Sequence, residues 1–471
     1  MENFLYDQIT TQSLEKKLEK RGITSLLLMM RAGLNIYNCL KEFIYDEIII
    51  LAGPGNNGGD ALAVGVHAKL NNDNVTVIKI KKYNDNTKSL IKLSKEINLR
   101  SYKFKTNILN PKKKQLIVDG ILGIGISRKP QGNIAKIINS INKFKSNNSI
   151  IVSIDVPSGL NPNNGVANSI TIKADHTIMC LTKKQGCFTG DGIEFSGKLH
   201  YTDLGIKNIK FIQKSNCCEL FSCNKLLVKR NKTKHKGSFG NVLILGGWDN
   251  MPGAANLSAL AALRTGCGKV FICTNNYEKL PNEVIRVAPD LDNIKKVINK
   301  INVIIAGPGL GNNASHILKF FWKSNLPLVL DADGLIWLSK SFSKKRKGLL
   351  IGTPHHGEAK SLLGKNFKDR FAAVTEIKNK YGGSWVLKGP GTLIYSSRMY
   401  VNNFSNSILA SGGTGDVLAG IIGSLIAQKY VKPEINGVII HTKSAKQLLS
   451  ENKKTLIATD LIEKISSSII T

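Results

Sequence analysis

The sequence of 471 residues contains no apolar run long enough to cross a membrane, which takes about 18 consecutive apolar residues. The first residues include Glu2 and Asp7 and lack the apolar core of a secretion signal. The eight cysteines form no Cys-x-x-Cys pair, and no histidines stand near them at the spacing of a zinc site. We therefore expect a cytoplasmic protein with reduced thiols, no disulfide framework and no membrane partner.

Acidic residues are also scarce, because 33 Asp and Glu stand against 66 Lys and Arg, which gives a formal net charge of +33. A strongly basic surface can indicate nucleic-acid binding, since it attracts phosphates. Here the lysines recur along the whole chain, without a basic stripe that is interleaved with aromatic residues. We expect no nucleic-acid partner, and we interpret the charge as compositional drift that would help to attract anionic nucleotides.

A chain of this length is expected to form two or three domains. Apolar strand patterns alternate with helix patterns up to about residue 210, and a new series begins at NVLILGG (241–247) after an irregular, charged stretch. Buried strands that are separated by helices predict an α/β protein with parallel, doubly wound sheets. We predict two such domains, at residues 1–215 and 226–471, with functional loops at the carboxyl ends of their strands.

Four strand ends in the first half carry glycine and polar residues. The first is GPGNNGGD (53–60), which lies ahead of a helix predicted at about residues 60–71. Glycines at the start of a helix suit a phosphate, yet this loop matches neither GxGxxG nor GxxxxGK[ST]. The other three ends are Asp119 with Gly120, Gly123 and Gly125; Asp155 with Pro157, Ser158 and Gly159; and Lys184 with Gly186. Singly, each can be a helix cap or a turn, but the side-chain oxygens of Asn57, Asp119 and Ser158 also suit a hard cation.

In this order, GPGNNGGD, VDGILGIG, SIDVPSGL and KKQG resemble the N-terminal domain of bifunctional NAD(P)H-hydrate repair enzymes. The resemblance implies a Rossmann-like fold that epimerises NADHX and NADPHX, the hydrated nicotinamide cofactors. It implies that Asp155 and Lys184 are catalytic, with Lys183 as the adjacent alternative to Lys184. It also implies that Asn57, Asp119 and Ser158 ligate a potassium ion (K+). The implied substrate contacts are Asn56, Asn57, Gly58, Gly59, Asp60, Gly123, Ile124, Gly125, Ile126, Ser127, Arg128, Lys129 and Asp155.

The most specific pattern in the second half is GGTGD (412–416), which opens an apolar helix. Its glycine amides and the helix dipole can stabilise phosphoryl charge, and Asp416 can accept a proton from an attacking hydroxyl. KGPGT (388–392) suits the phosphate or sugar of a nucleotide. This arrangement resembles ribokinase-like small-molecule kinases. By contrast, DAD (331–333) can either bind a metal or cap a helix, and a histidine such as those of TPHHGE (353–358) is more often structural than catalytic.

Taken in order with GPGLG and DADGL, these motifs resemble the NAD(P)H-hydrate dehydratase domain of the same enzymes. The resemblance implies a ribokinase-like fold, Mg2+ and ADP as the phosphoryl donor, although no residue distinguishes ADP from ATP. Asp416 is the implied catalytic residue. The implied hydrate contacts are Ala254, Gly309, His355 (or the adjacent His356) and Asp416. The implied adenine-nucleotide contacts are Lys388, Gly389, Pro390, Gly391, Thr392 and Gly415.

The function implied is metabolite repair, in which one domain interconverts the R and S epimers of NAD(P)HX and the other dehydrates the S epimer to NAD(P)H. We expect NADHX, NADPHX and ADP as small-molecule partners, and a homo-oligomer. Two alternatives stay open. A ribokinase-like kinase for a vitamin or sugar is disfavoured by TPHHGE, and a binding scaffold that has lost its chemistry is disfavoured by the intact Asn57, Asp119 and Asp155.

Overall fold

The computed structural model describes residues 3–80, 87–125, 129–145, 148–206, 218–221, 236–248, 251–276, 280–341 and 345–469. The chain divides into two compact units, Met1–Glu219 and Leu220–Thr471. Most of the predicted junction lies outside the described residues, so the boundaries 1–215 and 226–471 stay a prediction. No helix in the described part of the chain has both the length and the apolar character that a membrane span requires.

The first unit alternates strands and helices as the sequence predicts. Its strands are β1 (Phe4–Tyr6), β2 (Glu47–Ala52), β3 (Val75–Lys79), β4 (Ser101–Tyr102), β5 (Gln115–Gly120), β6 (Ser149–Ile154), β7 (His176–Cys180), β8 (Lys183–Lys184) and β9 (Lys198–Thr202), and β10 (Cys218–Phe221) includes the division point. Its helices are α1 (Gln8–Glu19), α2 (Ser25–Leu40), α3 (Asn56–Leu70), α4 (Lys88–Glu96), α5 (Gly132–Phe144) and α6 (Gly192–Ser196).

Seven of these strands form one parallel sheet in the order β4-β3-β2-β5-β6-β7-β9. Successive residues of a strand point to opposite faces. In β2, Ile48 and Ile50 pack in one core cluster with α2 and α3, whereas Ile49 and Leu51 pack in a second cluster with α5. Both faces are therefore covered by helices, and the predicted doubly wound sheet is confirmed. From β2 the chain adds β3 and β4 on one side, and it then returns to add β5, β6, β7 and β9 on the other side. The order of the strands therefore reverses between β2 and β5, which is the point where ligands bind in such folds.

Helix α3 begins at Asn56, so the predicted start at about residue 60 was wrong. Gly55 takes the extended conformation of an N-cap residue (φ −91°, ψ −171°). Gly58 is tolerated inside the first turn because the turn packs against the preceding loop, where an added Cβ would lie 1.9 Å from the Gly53 carbonyl oxygen. The asparagines of the glycine loop thus lie in the first turn of a helix, next to its backbone N–H groups.

The second unit has a larger sheet with its own core. Its strands are β11 (Asn241–Leu245), β12 (Lys269–Cys273), β13 (Ile285–Val287), β14 (Val303–Ala306), β15 (Leu328–Leu330), β16 (Leu350–Gly352), β17 (Ser384–Leu387), β18 (Leu393–Tyr395) and β19 (Met399–Asn402). Its helices are α7 (Pro252–Thr265), α8 (Leu291–Ile298), α9 (Ser315–Lys323), α10 (Ala332–Ser341), α11 (His356–Leu363), α12 (Arg370–Tyr381), α13 (Thr414–Ala427), α14 (Pro433–Ser450) and α15 (Ala458–Ser468).

Strands β13-β12-β11-β14-β15-β16-β17 of this unit are parallel in that order, and β18 and β19 continue the sheet as antiparallel strands. Helix α13 packs against α7 and α14, and α15 packs against α7 and α14. Almost every residue of α13 is buried, as expected for a helix that is apolar on all sides. An added Cβ on Gly415, in the first turn of α13, would lie 3.0 Å from Lys388 Nζ, after β17, and 3.5 Å from Asp331 Oδ2, after β15. The carboxyl ends of these two strands therefore face the amino end of α13, where the GGTGD motif lies.

Gly33 allows α2 to pack closely on α3, because an added Cβ would lie 2.5 Å from the Cβ of Ala63 and 2.6 Å from its carbonyl carbon. We predict that Gly33→Ala lowers the free energy of unfolding of the first unit by about 1–3 kcal/mol, as overpacking does. Gly125→Ala is the control, since no atom lies within 4 Å of its added Cβ. Urea unfolding followed by hydrogen exchange in peptides of α2 and α3 measures both, and equal stability of the two variants would contradict the prediction.

Candidate active sites

Two glycine-rich loops meet in the first unit at the reversal point between β2 and β5. An added Cβ on Gly53, after β2, would lie 1.8 Å from the carbonyl oxygen of Ile121, after β5. An added Cβ on Gly123 would lie 2.8 Å from the Cβ of Asn57. Only glycine permits these approaches. The loops border a cavity of about 300 Å³, which we call the first cavity.

Most of the predicted substrate contacts of the first unit lie together. The first cavity is lined by Asn56, Asn57, Asp60, Gly123, Ile124, Gly125 and Asp155. Gly58 and Gly59 are buried in the first turn of α3, and Lys129 is exposed. Ile126, Ser127 and Arg128 lie outside the described residues.

Asp119 and Ser158 form a buried oxygen cluster behind the first cavity. Asp119, at the end of β5, accepts hydrogen bonds from Ser153 Oγ (2.8 Å), Ser158 N (2.8 Å) and Ser158 Oγ (2.5 Å). Burial raises the pKa of Asp119, whereas these hydrogen bonds lower it. Ser158 Oγ also lies 3.2 Å from the Leu122 carbonyl oxygen, and Asn57 Nδ2 donates to the same oxygen at 3.0 Å. The structure therefore brings the three predicted cation ligands together.

Asn57 supplies the unsatisfied atom of this cluster. Its Oδ1 is buried and accepts no hydrogen bond from any described residue. Leaving a buried acceptor unsatisfied costs about 1–3 kcal/mol, and such an oxygen suits a hard cation. The described ranges contain no group of three or more His, Cys, Asp or Glu that could hold a metal ion. One carboxylate with neutral oxygens fits a singly charged cation better than a divalent one.

Asp155 and Lys184 form a buried ion pair beside the first cavity. Lys184 Nζ lies 2.6 Å from Asp155 Oδ1 and 2.6 Å from the Cys180 carbonyl oxygen, and its side chain is 1% exposed. Asp155 has a positive φ of 65°, which is strained for a residue other than glycine and is common at functional sites. The neighbouring Lys183 points elsewhere, with Nζ 5.2 Å from the centre of the Tyr201 ring. Of the two lysines, the structure places Lys184 at Asp155.

Glu15 is a residue of this cavity that the sequence analysis missed. It reaches the cavity from α1, together with Asp60 from α3. Burial and then the negative charge of Asp155 raise the pKa of Glu15 to about 7. Burial also raises the pKa of Asp60 well above its usual value. No local motif marks Glu15, because only the packing of α1 brings it to the strand ends.

The second unit gathers carboxylates around Lys388, which follows β17. Lys388 Nζ lies 2.7 Å from Asp331 Oδ1 and 3.8 Å from Glu358 Oε2. Thr353 Oγ1 also donates to Asp331 Oδ1, at 2.8 Å. Burial and then the charge of Asp331 raise the pKa of Asp416 to about 7. The strand ends and the first turn of α13 thus combine a buried ammonium with a carboxyl group that can exchange a proton near neutral pH.

His355 caps the start of α11 at the edge of this cluster. Its Nδ1 accepts the N–H of Gly357 at 2.9 Å, and Glu358 Oε2 accepts the N–H of His355 at 2.7 Å. The ring is exposed on its outer side, and burial of the rest lowers its pKa, which favours the neutral imidazole. The ring of His356 instead packs on Phe367, with 4.3 Å between the ring centres. His355 is thus the histidine of the pair that joins the cluster.

A cavity of about 430 Å³, which we call the second cavity, adjoins Lys388. Of the predicted adenine-nucleotide contacts, its lining includes Lys388, Gly389, Pro390, Thr392 and Gly415. Leu418 and Val438 add apolar surface, and Asn402 and His441 add polar groups, and none of these four residues was predicted from the sequence. A mixed apolar and polar lining of this size suits a nucleotide.

Arg370 holds the loop after β17 in place through hydrogen bonds to its carbonyl oxygens. This buried guanidinium donates to the carbonyl oxygens of Leu387 and Lys388, at 3.1 Å each, and to that of Gly391, also at 3.1 Å. It also donates to the carbonyl oxygen of Pro390. The planar fork of an arginine suits several carbonyls at once. Arg370 was missed because its sequence context carries no motif.

The remaining predicted contacts of the second unit lie near the start of α7. Gly309 has a positive φ of 57°, and its added Cβ would lie 3.1 Å from the Cβ of Ala254. One turn along α7, Ser258 Oγ donates to the carbonyl oxygen of Asp416 at 2.7 Å. The structure therefore places Ala254 and Gly309 beside each other and links α7 to the residue predicted to be catalytic.

Comparisons with known proteins cover both units. A family model described as NAD(P)H-hydrate dehydratase matches residues 242–467, and one described as YjeF-related protein N-terminus matches residues 25–186. The bifunctional NAD(P)H-hydrate repair enzyme Nnr of Coxiella burnetii is 34% identical and covers 97% of this chain and 97% of its own length. The enzyme of the same name from Escherichia coli is 32% identical and covers 94% of this chain and 89% of its own.

A solved structure also resembles the chain. The crystal structure of a ribokinase-like superfamily protein from Enterococcus faecalis is 24% identical, covers 53% of this chain and 94% of its own, and has a TM-score of 0.50. At this identity the likeness bears on the fold alone. It confirms the predicted ribokinase-like fold of the second unit.

The buried Asp155–Lys184 pair leads to a prediction about stability. Asp155→Ala leaves the Lys184 ammonium without its bonded carboxylate, and we expect the first unit to lose about 3 kcal/mol. This is the low end for a broken buried pair, because removal of the Asp155 charge lets Glu15 and Asp60 ionise more readily and then compensate the Lys184 ammonium. The double variant Asp155→Ala/Lys184→Met should recover most of the loss in urea unfolding. A double variant no more stable than the single one would contradict this account of the pair.

Proposed function

The chain belongs to the family of bifunctional NAD(P)H-hydrate repair enzymes, and from that premise we propose that its two units act in succession on damaged nicotinamide cofactors. The first unit interconverts the R and S epimers of NAD(P)HX. The second unit dehydrates the S epimer to NAD(P)H at the expense of ADP, giving AMP and phosphate. The observation that carries the proposal is that similarity to a bifunctional relative spans 97% of both chains, so both halves are present.

In the first unit, we assign the substrate to the first cavity. The glycine loop and the first turn of α3 offer backbone N–H groups for the pyrophosphate of the dinucleotide. Asp155 lies at the end of β6 beside this cavity, where it can exchange a proton with the hydrate. Lys184 holds the Asp155 carboxylate in one orientation through the 2.6 Å bond. The strained backbone of Asp155 and the buried lysine thus fix one acid–base group against the substrate.

We further propose that the oxygen cluster behind the first cavity holds a potassium ion. The ligands would be Asn57, Asp119 and Ser158, and the support is the buried Asn57 Oδ1, which accepts no hydrogen bond from any described residue. The ion would supply fixed positive charge behind the glycine loops. There it would pair with the buried Asn57 Oδ1 in the first turn of α3, and its charge would favour the binding of an anionic substrate.

In the second unit, we assign ADP to the second cavity and the hydrate to the residues around Ala254, Gly309 and His355. Asp416, as a carboxylate, accepts the proton of the hydrate's C6 hydroxyl, whose oxygen attacks the terminal phosphoryl group of ADP. The bond from that phosphorus to the bridging oxygen breaks and releases AMP. Phosphate then leaves C6, pushed by the ring nitrogen lone pair, and loss of a C5 proton restores the dihydropyridine. Phosphorylation thereby replaces hydroxide, a poor leaving group, with phosphate.

The buried ammonium of Lys388 supports this chemistry. It borders the second cavity while bonded to Asp331, so it can offset the charge that develops on the transferred phosphoryl group. A magnesium ion at a nucleotide site is usually held by the nucleotide phosphates and by one or two carboxylates. Asp331 and Asp416 would supply those carboxylates here. Magnesium would supply further charge neutralisation at the phosphates.

We also propose domain boundaries at residues 1–215 and 226–471, a cytoplasmic location and a homo-oligomeric state. We propose no nucleic-acid partner. The support is the scattered distribution of the 66 basic residues along the sequence and the absence of a recognisable nucleic-acid module in it.

The two activities are expected to be separable by single substitutions. Asp416→Asn removes the proposed base and should lower the rate of ADP-dependent dehydration of the S epimer at least about 100-fold, while epimerisation continues. Asp155→Asn should do the reverse. NADH absorbance, with each purified epimer and ADP or ATP as donor, measures both activities. Loss of both activities in either variant, or no NADH from the unaltered protein under any condition, would overturn the proposal.

Potassium should stabilise the first unit in a cation-specific way. An ion that binds only the folded state adds about 2.7 kcal/mol of stability at 100 times its Kd. We therefore expect potassium chloride to raise the unfolding midpoint of the first unit above that in lithium chloride at equal ionic strength. Asn57→Ala should abolish the difference between the two salts. The same response to both salts in the unaltered protein would refute the potassium site.

A further inference from the structure

Three carboxyl groups and one ammonium act on one another at the first cavity, although each comes from a different element. Glu15 lies on α1, Asp60 on α3 and Asp155 after β6, and all three line the cavity. Lys184 is buried beside them and bonded to Asp155. Three negative charges around one positive charge in a poorly solvated site are costly, so at least one carboxyl holds a proton near neutral pH.

The hydrogen bonds indicate which carboxyl is ionised. Asp155 Oδ1 accepts the Lys184 ammonium at 2.6 Å and the Cys180 N–H at 2.8 Å, an arrangement that suits a carboxylate anion. The carboxyl group of Glu15, by contrast, makes no hydrogen bond to any other described residue, although Glu15 lines the cavity. Its carboxyl group is therefore available to a bound molecule.

We propose that Glu15 is the second proton-transfer group of the epimerase site and acts on the substrate together with Asp155. This inference rests on the proposed function of the first unit. It assigns a role in the chemistry to α1, the helix that precedes every motif of the sequence analysis.

Epimerisation at C6 through ring opening requires two such groups. Asp155, as carboxylate, takes the proton of the C6 hydroxyl while the C6–N1 bond breaks and C6 becomes a carbonyl. The electron pair of the broken bond goes to N1, which takes a proton from the Glu15 carboxyl group. Rotation about C5–C6 presents the other face of the carbonyl, and N1 adds to it with both proton transfers reversed. No oxidant is needed, and the two carboxyl groups return to their starting states.

The electrostatic surroundings of Glu15 agree with a proton donor. Burial comes first, and the charge of Asp155 second, in raising its pKa to about 7, while the ammonium of Lys184 lowers it. Burial first, and then the charges of Asp155 and Glu15, raise the pKa of Asp60. Lys16 and Glu19 flank Glu15 on α1. The donor form predominates below pH 7 and is lost as the pH rises through that value, so the rate should fall above about pH 7.

Glu15→Gln tests this role because the amide keeps the size of the side chain but has no proton to exchange. We expect kcat for conversion of the R epimer to fall at least about 100-fold, after subtraction of the uncatalysed exchange, with little change in KM. The fall in rate above about pH 7 should also disappear. Glu96→Gln is the matched control, since it makes the same substitution at an exposed residue of α4 in the same unit and should behave as the unaltered protein.

Urea unfolding of the same variant, followed by hydrogen exchange in peptides of α2 and α3, reports on folding of the first unit, because dehydration of the S epimer reports on the second unit alone. Failure of the unaltered protein to interconvert the epimers would overturn the proposed function, whereas an unchanged rate and pH profile in Glu15→Gln would overturn only the inference. A rise in KM alone in Glu15→Gln would also overturn it. So would a result in which Asp60→Asn loses the fall in rate above about pH 7 (the basic limb of the pH profile) and Glu15→Gln keeps it. If Glu15→Gln does not fold, Glu15→Asp should keep the basic limb at a reduced rate, and full activity without that limb would refute the proposal.

Discussion

A lysine ammonium that is buried against an aspartate at the end of parallel strands is the interaction on which each site depends. In the first unit Lys184 lies 2.6 Å from Asp155, and in the second Lys388 lies 2.7 Å from Asp331. A charge can be buried only if its partner is fixed at close range, because the desolvation cost is several kcal/mol per ion. The sheets provide that fixation for the two aspartates, since the strands that precede them, β6 and β15, are hydrogen-bonded to neighbouring strands on both sides.

The buried pairs also set the chemistry of the groups around them. Each is accompanied by further carboxyl groups, with Glu15 and Asp60 in the first unit and Glu358 and Asp416 in the second. One ammonium cannot compensate several carboxylates, so burial and mutual repulsion raise the pKa values of the remainder. In each site a carboxyl group with a pKa of about 7 results, which is the range in which proton transfer in both directions is fast at neutral pH.

Close backbone approach supplies the second requirement, which is room for a nucleotide beside these charges. Gly53 and Gly123 bring the loops after β2 and β5 into contact in the first unit, and Arg370 holds the loop after β17 in the second. In the first unit the glycines leave no side chains between the loops, and in the second unit one buried guanidinium donates hydrogen bonds to several carbonyl oxygens of the loop. Both leave a rigid wall beside a cavity, so that little conformational freedom remains to be lost when a ligand binds.

The sequence alone determined the α/β class and most of the strand-end residues, because the alternation of buried strands and helices and the glycine and aspartate motifs are local patterns. Its predicted start of α3 was four residues late, since the tolerance for Gly58 inside a helix depends on contact with Gly53. Only the tertiary structure distinguished Lys184 from Lys183, because neighbouring residues of a strand point to opposite sides and burial decides which side is the site. Glu15 and Arg370 were beyond the sequence for a related reason. Each reaches its site through the packing of a helix that is distant in the chain, and such packing leaves no periodic or spaced signal in the residues around it.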